Sequence, residues 1–208
     1  MISEKMSTGP EDILNFWFTD AAHHPIKAQS RKDFWFGSSS EIDEVVRRRF
    51  ASSVAAAARG ELSDWLTQAR SALALVIVLD QFPRNIWRGQ HEAFTHDTQA
   101  LRAAHYGVDA GYLAALSPVE GAFLIMPYQH SELLECQRKS VQLFEDLAQS
   151  APAEWRPLLE EYLSFARQHL AIIERFGRFP HRNHVLRRQS TPEEDRYLTS
   201  GGATFGQG

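Results

Sequence analysis

Apolar side chains recur at three- and four-residue steps in several parts of the chain, which is the period of an α-helix with one buried face. The clearest example lies in the second half, with Gly177 just beyond its end. Its apolar positions are Leu159, Tyr162, Leu163, Ala166, Leu170 and Ile173. The pattern predicts a long amphipathic helix that ends before Gly177, because glycine readily adopts the left-handed conformation that terminates helices.

Residue types that favour helix starts predict several further helices. Pro10 precedes two acids and an apolar run, and Thr191-Pro192-Glu193-Glu194 predicts the start of a short last helix. Ser117-Pro118-Val119-Glu120 combines a capping box with proline in the first turn, which makes it the clearest start in the chain. We expect Pro127 to interrupt the helix that begins there and Ser131 to cap the next one.

Two segments are harder to assign from periodicity. Residues 72–79 are all apolar, a length at which a buried strand and a buried helix look alike, and the helical neighbours favour a helix. Residues 19–39 predict a long loop held in place by the aromatic residues 34–36. No two β-branched runs flank a hairpin signal, and no repeat of about 30 to 45 residues is visible. The fold class predicted is all-α, a compact multi-helix array.

Composition narrows the compartment and the partners. The 208 residues predict a single helical domain over 1–208, with a frayed tail from about 199 to 208. The net charge of −4 gives no basic field, which argues against nucleic acid and leaves any anion site to local residues. Cys136 is the only cysteine, and the sequence has neither a signal peptide nor a run of about 20 apolar residues. We therefore expect a cytoplasmic protein without a membrane segment.

The first candidate functional residues follow the apolar run. Asp80 is expected to be buried, where an ionised carboxylate needs a partner, and Arg84 is close enough in sequence to be that partner. Asn85, next to Arg84, is a further candidate for ligand binding. A structural salt bridge at a helix end explains Asp80 and Arg84 equally well, so both interpretations stay open.

The second candidates are His130 and Glu132, at a predicted helix start. Imidazole titrates near neutrality and a partly buried carboxylate can be tuned towards it, so the two could act as general acid and base. Helix capping is the alternative. It accounts for Ser131 and Glu132, but it leaves His130 without a role.

The third candidate is the string Arg175-Phe176-Gly177-Arg178-Phe179-Pro180-His181-Arg182-Asn183. Residues 175–188 contain five arginines, two histidines and no lysine, interleaved with two phenylalanines. Guanidinium groups bind carboxylate or phosphate through paired hydrogen bonds and stack on aromatic rings, so this composition favours a shaped anion site. The alternative is a set of arginines that pair with the chain's own acids.

Metal and nucleophile signals are weak. His91 and His96 nearly match a zinc-binding helix motif, but a spacing of five leaves the two rings about 140° apart on a helix. A three-dimensional site from His130, His169 and His181 with Asp80 or Glu132 is not demanded by any spacing. We therefore predict no metal site, and no cofactor is implied.

Several motifs in this order resemble those of a known bacterial family, the domain of unknown function DUF924. They are residues 79–89, Phe94 with Asp97, Pro127 with His130-Ser131-Glu132, residues 175–183, Ser190-Thr191 and Glu193-Glu194. The resemblance implies a compact helical fold in the tetratricopeptide-like superfamily. It implies no cofactor and no catalytic residue, because the biochemical role of the family is not established. The chain departs from the family at Leu186-Arg187-Arg188, where the family typically has glycine in the middle.

The leading hypothesis is a polar pocket for a small anionic molecule or a peptide carboxylate, in a hydrolase or a transferase. The anion would be bound by Arg84, Asn85, Arg175, Arg178, Arg182 and Asn183. His130 or His181 would exchange protons, oriented by Asp80 or Glu132. The rival hypothesis is a non-enzymatic interaction module of tetratricopeptide-like type, and a third makes the motifs purely architectural. The oligomeric state stays open.

Overall fold

The computed structural model describes residues 8–206, and within that range the chain has eleven α-helices and no β-strand. The all-α prediction is therefore confirmed. The helices are α1 (Pro10–Phe18), α2 (Pro25–Ser30), α3 (Lys32–Phe36), α4 (Ser40–Ala58), α5 (Ala69–Val76), α6 (Phe82–Ile86), α7 (Asp97–Asp109), α8 (Pro118–His130), α9 (Leu134–Ser150), α10 (Arg156–Phe176) and α11 (Pro192–Thr199). Residues 1–7, where no signal peptide is predicted, and 207–208, the end of the predicted tail, lie outside the described residues.

A large cluster of buried apolar side chains holds these helices together. It extends from Ile13 on α1 to Ala166 on α10, and a smaller cluster contains Ile172, Ile173 and Phe179. Within the large cluster, Trp17 contacts Phe82 and Phe123 edge to face, an arrangement that aromatic rings prefer. The tetratricopeptide-like arrangement and the single-domain division stay predictions.

The predicted long helix is confirmed as α10, which ends at Phe176 with Gly177 in the left-handed conformation at a φ of 67°. The predicted last helix is confirmed as α11. The apolar run 72–79 is helical, as predicted, and passes from α5 into a π-helical turn, Ile77–Gln81. None of the helices between residues 8 and 206 is both long and apolar enough to cross a bilayer.

The prediction of a long loop over residues 19–39 is wrong. This segment contains a 3-10 turn, Thr19–Ala22, followed by α2 and α3. Pro25 at the first position of α2 suits a helix start, and Ala28 and Trp35 are buried in the core. Trp35 also donates from Nε1 to the carbonyl oxygen of Trp17 at 2.8 Å. Tertiary burial therefore stabilises two helices too short to form alone.

The expected break at Pro127 is also wrong, because α8 continues through Pro127 to His130. The helix is buried on all sides from Val119 to Gln129. Proline removes one helical hydrogen bond, and the packing around α8 compensates for that loss. Ser131 does not cap α9, whose N-cap is Leu133; its hydroxyl accepts from the amide of Leu133 instead.

Candidate functional site

A cavity of about 480 Å³ is lined by several of the residues that the sequence predicted for a site. Three helical segments form its walls, each with side chains spaced three or four residues apart, as on one face of a helix. Residues 81–88 contribute Gln81, Arg84, Asn85 and Arg88; α8 contributes Met126, Gln129 and His130; and α10 contributes Glu161, Tyr162, Phe165 and His169. Phe144 of α9, parts of α3, residues 181–182 and residues 205–206 complete the lining.

Asp80 lies in the π-helical turn between α5 and α6. In this turn the amide of Phe82 bonds to the carbonyl of Ile77, five residues back. Pro83 follows; proline has no amide hydrogen and its ring crowds the preceding turn, which favours such a widened turn. Asp80 is 0% exposed there and accepts a hydrogen bond of 2.6 Å from Gln81 Nε2. The carboxylate of Asp80 therefore lies in a π-helical turn, an irregularity that is frequent at functional sites.

His130, the last residue of α8, is the main partner of Asp80. Its Nδ1 lies 2.8 Å from Asp80 Oδ1 and 3.0 Å from Oδ2. Because an ionised carboxylate can only accept, Nδ1 carries the hydrogen and Nε2 keeps its lone pair. Nε2 has no hydrogen-bond partner among residues 8–206, and His130 lines the cavity. This nitrogen is thus placed to accept a proton from a molecule in the cavity.

The ionisation states of this pair follow from their surroundings. Burial alone would raise the pKa of Asp80, but the charges of His130 and Arg84 and the hydrogen bonds from His130 and Gln81 lower it below its usual value. Burial lowers the pKa of His130, against the opposing effect of Asp80, and Arg84 lowers it further. At neutral pH the pair is an ionised carboxylate beside a neutral imidazole, which is the form that a general base requires.

Arg84 and Arg182 meet at one carboxylate, that of Asp97 on α7. Arg84 Nη1 lies 2.9 Å from Asp97 Oδ1, and Arg182 Nη1 lies 3.2 Å from Oδ2. Arg84 Nη2 also approaches Asp80 Oδ1 at 3.4 Å, without hydrogen-bond geometry. The predicted contact between Asp80 and Arg84 therefore exists, but it is longer than the contact between Asp80 and His130.

The guanidinium of Arg182 is held between two aromatic rings. Its Cζ lies 4.6 Å from the ring centroid of Phe94 and 4.5 Å from that of Phe179, distances typical of a cation–π contact. Burial lowers the pKa of Arg182 to about 10, with Asp97 opposing this effect. The side chain is therefore still a cation at neutral pH, and its position is fixed by packing.

Five buried polar atoms around the cavity have no hydrogen-bond partner within the described part of the chain. They are Arg84 Nη2, Gln129 Oε1, Tyr162 Oη, His181 Nδ1 and Arg182 Nε. Each belongs to a residue that lines the cavity. Buried polar groups in proteins are almost always paired, so this concentration is typical of a surface that exchanges hydrogen bonds with a bound molecule or with water.

The protonation states of two of these groups are set by burial. Burial raises the pKa of the Tyr162 phenol, so the hydroxyl stays protonated and can donate. Burial, together with the charges of Arg182 and Arg84, lowers the pKa of His181 to about 3. His181 is therefore a neutral imidazole over the physiological range, able to donate or accept through Nδ1.

The chain beyond α11 returns to the cavity. The ring of Phe205 stacks on His169, with centroids 3.7 Å apart, and the carbonyl of Gly206 accepts from Arg88 Nη1 at 3.2 Å. Residues 205–206 line the cavity, and the fraying expected from about residue 199 stays a prediction. His169 Nδ1 donates to the carbonyl of Phe165 at 2.8 Å, so the lone pair of this ring is on Nε2.

His130, His169 and His181 are the histidines of the possible metal site that the sequence left open. Nδ1 of His130 and Nδ1 of His169 are each engaged by an oxygen of the protein. Across residues 8–206, no three His, Cys, Asp or Glu side chains are grouped closely enough to hold a metal ion.

Two of the predicted anion-binding arginines lie outside the cavity. Arg178 pairs with Glu194 through hydrogen bonds of 2.6 and 2.8 Å, and Arg175 pairs with Glu193 at the surface at 2.9 Å. Neither arginine lines the cavity. Their guanidinium groups are engaged by acids of the same chain, as the alternative interpretation of this string expected.

Glu132 and Asn183 belong to a loop network around Arg188. Glu132 accepts from both terminal nitrogens of Arg188, at 2.7 and 3.0 Å, and from the amide of Phe179 at 2.8 Å. Asn183 Oδ1 accepts from Arg188 Nε at 3.0 Å. Neither residue lines the cavity, and Glu132 forms no hydrogen bond with His130. Of the two acids proposed from the sequence to orient His130, Asp80 contacts it and Glu132 does not.

Asn85 lines the cavity, but its side chain is engaged elsewhere. Asn85 Nδ2 donates to Asp43 Oδ1 at 2.8 Å, and Arg88 binds the same carboxylate through hydrogen bonds of 2.7 and 2.8 Å. Asp43 lies on α4, so these bonds hold the cavity wall against α4 and position Asn85 as part of that wall.

Comparison with known proteins identifies a family and a solved structure to which this chain is similar. The family model described as a bacterial protein of unknown function, DUF924, matches residues 13–202. The chain belongs to the DUF924 family. The solved structure of ATU0120, a protein of unknown function from Agrobacterium tumefaciens, is 36% identical to it with a TM-score of 0.78, and the match covers 92% of this chain and 97% of that one. Among curated proteins, none matches the sequence.

Arg187 of this DUF924 protein occupies the position where the resemblance to the family led us to expect glycine. Its φ is 53°, in the left-handed region, which costs a side-chain-bearing residue about 1–2 kcal/mol. We expect Arg187→Gly to be about 1 kcal/mol more stable than Arg187→Ala, since only glycine relieves this strain. Urea unfolding of the two variants measures the difference. Equal stabilities would contradict a strained backbone at this position.

The stability of the DUF924 chain is expected to depend on pH through the carboxylate of Glu194. The hydrogen bond from Arg178, opposed by burial and aided by the amide of Thr191, lowers the pKa of Glu194 from 4.5 to about 2. A lowered pKa in the folded state stabilises the fold above the unfolded value, and that contribution is lost as pH falls. We expect Glu194→Gln to flatten the decline in the free energy of unfolding between pH 4.5 and about 2.

The control for this experiment is Glu193→Gln, which makes the same charge change in the neighbouring exposed pair with Arg175. Exposed pairs contribute little, so this variant should keep the acid-induced decline. If both variants declined with pH as steeply as the wild type, the pair of Glu194 with Arg178 would not be a source of acid sensitivity.

Three polar residues at the site, Asp97, Gln129 and Tyr162, were not predicted as site residues. Tyr162 belonged to the apolar stripe predicted for the long helix, and Asp97 was only part of the family pattern. The sequence contained one signal that could have indicated Tyr162. Tyr162 and His169 are seven residues apart, which is two turns of one helix face, so both were expected on the same surface.

Proposed function

We propose that this DUF924 protein is an enzyme, a hydrolase or a transferase, that acts on a small anionic metabolite in the cavity with His130 as general base. The observation that carries the proposal is the pair of Asp80 and His130. A completely buried carboxylate fixes Nδ1 of the imidazole at 2.8 Å, and Nε2 of a cavity-lining histidine is without a partner among residues 8–206.

The proton transfers follow from this tautomer. Nε2 of His130 takes a proton from a water molecule or from a hydroxyl group of a substrate, and the ionised Asp80 stabilises the imidazolium that forms. The oxygen that loses the proton then attacks the electrophilic atom of the substrate, the bond from that atom to the leaving group breaks, and the imidazolium of His130 returns the proton to the leaving group. The reaction is a hydrolysis if that oxygen comes from water, and a group transfer if it comes from a second substrate.

Arg84 and Arg182 are the groups proposed to hold the anion. Both remain cations at neutral pH, and each keeps one guanidinium nitrogen without a hydrogen-bond partner among the described residues. Their pairing with Asp97 fixes them in place before a ligand arrives, which favours electrostatic stabilisation without reorganisation. His181, neutral and at the same wall, supplies a further hydrogen bond. Arg175, Arg178 and Asn183 have no part in this proposal.

The non-enzymatic interaction module is the second candidate, and one observation favours it. The pairs of Arg178 with Glu194 and of Arg188 with Glu132 are internal ion pairs, which the interaction module predicts together with an architectural role of the arginine-rich string. This role does not account for Asp80 and His130, because a buried carboxylate of purely structural function needs no partner with a free, cavity-facing nitrogen.

The test is a turnover screen with p-nitrophenyl acetate, p-nitrophenyl phosphate and a p-nitroanilide amide. Wild type is compared with His130→Gln and with His184→Gln, a control histidine that is exposed and does not line the cavity. Activity that is lost only in His130→Gln supports the proposal. Equal activity in wild type and His130→Gln, or no turnover of the whole panel by wild type, would overturn it and favour the interaction module.

A further inference from the structure

The cavity has two chemically different ends. At one end Phe36 lies 5.9 Å from Tyr162 and 6.2 Å from Trp35, and Phe144 lies 6.5 Å from Tyr162, measured between ring centroids. Phe165, one turn along α10 from Tyr162, extends this aromatic surface. A molecule at this end therefore meets several aromatic rings, which favour a flat apolar group, beside the ion pair of Lys32 and Glu161.

The opposite end is polar. It contains Arg84 and Arg182, with His130 and His181, and His130 lies 6.2 Å from His169 between ring centroids. Tyr162 and His169 are seven residues apart on α10, so the two ends are separated by about 10 Å along that helix. A single small molecule can span both ends, with an apolar body at one and a charged group at the other.

The charges already present in the cavity restrict the charge that this group of the ligand can carry. Arg84 and Arg182 are already compensated by Asp80 and Asp97, at 2.9 to 3.4 Å. The other two cations that line the cavity are likewise paired, Lys32 with Glu161 and Arg88 with Asp43. With neutral histidines, the polar end therefore has no surplus of positive charge. Every negative charge on a ligand therefore adds to a site without surplus cations, so a ligand with one negative charge is favoured over a dianion.

We propose that the ligand of this cavity is an amphipathic monocarboxylic acid with an aromatic or similarly flat apolar body. Its carboxylate accepts hydrogen bonds from Arg84 and Arg182, and its body lies among Phe36, Phe144 and Phe165. The hydroxyl of Tyr162 donates to an acceptor on the body. This inference rests on the proposed function only in taking the cavity as the substrate site, and it names the substrate class.

The test is calorimetric titration of the wild-type protein with phenylacetate, acetate, phenethyl alcohol and phenyl phosphate. Phenylacetate is expected to bind at least about tenfold more tightly than acetate, because acetate lacks the ring. It should exceed phenethyl alcohol by a similar factor, because the alcohol loses the charge-assisted hydrogen bonds. Phenyl phosphate, a dianion above pH of about 6, is expected to bind more weakly than phenylacetate.

Variants at the aromatic end provide a second, independent readout. Phe36 and Phe165 are 43% and 40% exposed, so their replacement by alanine leaves the buried core intact. Each variant should weaken phenylacetate binding by about threefold to tenfold and leave acetate binding unchanged. Tyr106→Ala is the matched control, because Tyr106 is 48% exposed and does not line the cavity.

The results separate this inference from the proposed function. Equal affinity for phenylacetate and acetate would overturn the claim that the ligand has an apolar body. Equal affinity for phenylacetate and phenethyl alcohol would overturn the claim that it has a carboxylate. Tighter binding of phenyl phosphate than of phenylacetate would overturn the claim that it has a single negative charge. Absence of phenylacetate binding overturns the ligand class outright. In each case, turnover that depends on His130 would leave the proposed function standing. Phenylacetate binding as expected without such turnover would retain the ligand class and reject the enzyme.

Discussion

His130→Gln is expected to lower the rate of the catalysed reaction by about 10²–10⁴-fold, the usual contribution of a general base. The glutamine side chain can donate from Nε2 to Asp80 and so keep the buried carboxylate paired, but it cannot accept and hold a proton. The fold should therefore persist while the proton transfer is lost. Steady-state kinetics on any substrate that the wild type turns over measures this change, with circular dichroism as the check of folding.

The pH profile shows whether the loss is specific to a base. Burial and Arg84 lower the pKa of His130 below 6.5, so wild-type kcat/KM is expected to stay constant at neutral pH and to fall only at more acidic pH. Asp80→Asn removes the negative charge that raises the pKa of His130, so kcat/KM of this variant should fall only at a still lower pH. An acidic limb that persisted unchanged in His130→Gln would contradict the assignment of His130.

The sequence predicted best those helix ends that are determined by local chemistry. Thr191 and Glu194 form both bonds of a capping box, Thr191 Oγ1 accepting from the Glu194 amide and Glu194 accepting from the Thr191 amide, at 3.2 and 2.7 Å. Gly177 ends α10 by adopting a φ that other residues rarely adopt. The predictions failed where tertiary burial determines the structure, at Pro127 inside α8 and in the short helices α2 and α3.

The candidate site could be predicted only residue by residue. The expected burial of Asp80 and the unexplained His130 were both local observations, but the two are fifty residues apart and only the fold brings them together. Proximity in sequence favoured Arg84 as the partner, whose contact is longer. The arginine string shows the same difficulty. Its members have the same chemistry, and only the positions of the acids on other elements separate Arg182 at the cavity from Arg178 in an internal pair.

Asp97→Asn is expected to reduce the free energy of unfolding by about 3 kcal/mol, the lower end of the usual effect of removing one partner from a buried ion pair, because the side chain of Asp97 is itself 20% exposed. The carboxylate of Asp97 contacts Arg84 and Arg182 at 2.9 and 3.2 Å, and both arginines are less than a tenth exposed. Without it, Arg84 keeps a hydrogen bond to the carbonyl of Ala93 and its longer contact with Asp80, and Arg182 loses the one carboxylate to which it is bonded. Urea unfolding measures the change in the free energy of unfolding. The slope of that free energy against urea concentration should stay the same.

Glu193→Gln is the matched control for this stability prediction, because it neutralises a carboxylate in a surface ion pair with Arg175, where both side chains are about half exposed. The expected loss there is about 0–1 kcal/mol. A ligand carboxylate placed between Arg84 and Arg182 would replace part of the missing charge, so phenylacetate should stabilise Asp97→Asn more than it stabilises the wild type. If Asp97→Asn were no less stable than Glu193→Gln, the two arginines could not be cations fixed by Asp97, and the assignment of the anion-binding end would fail with it.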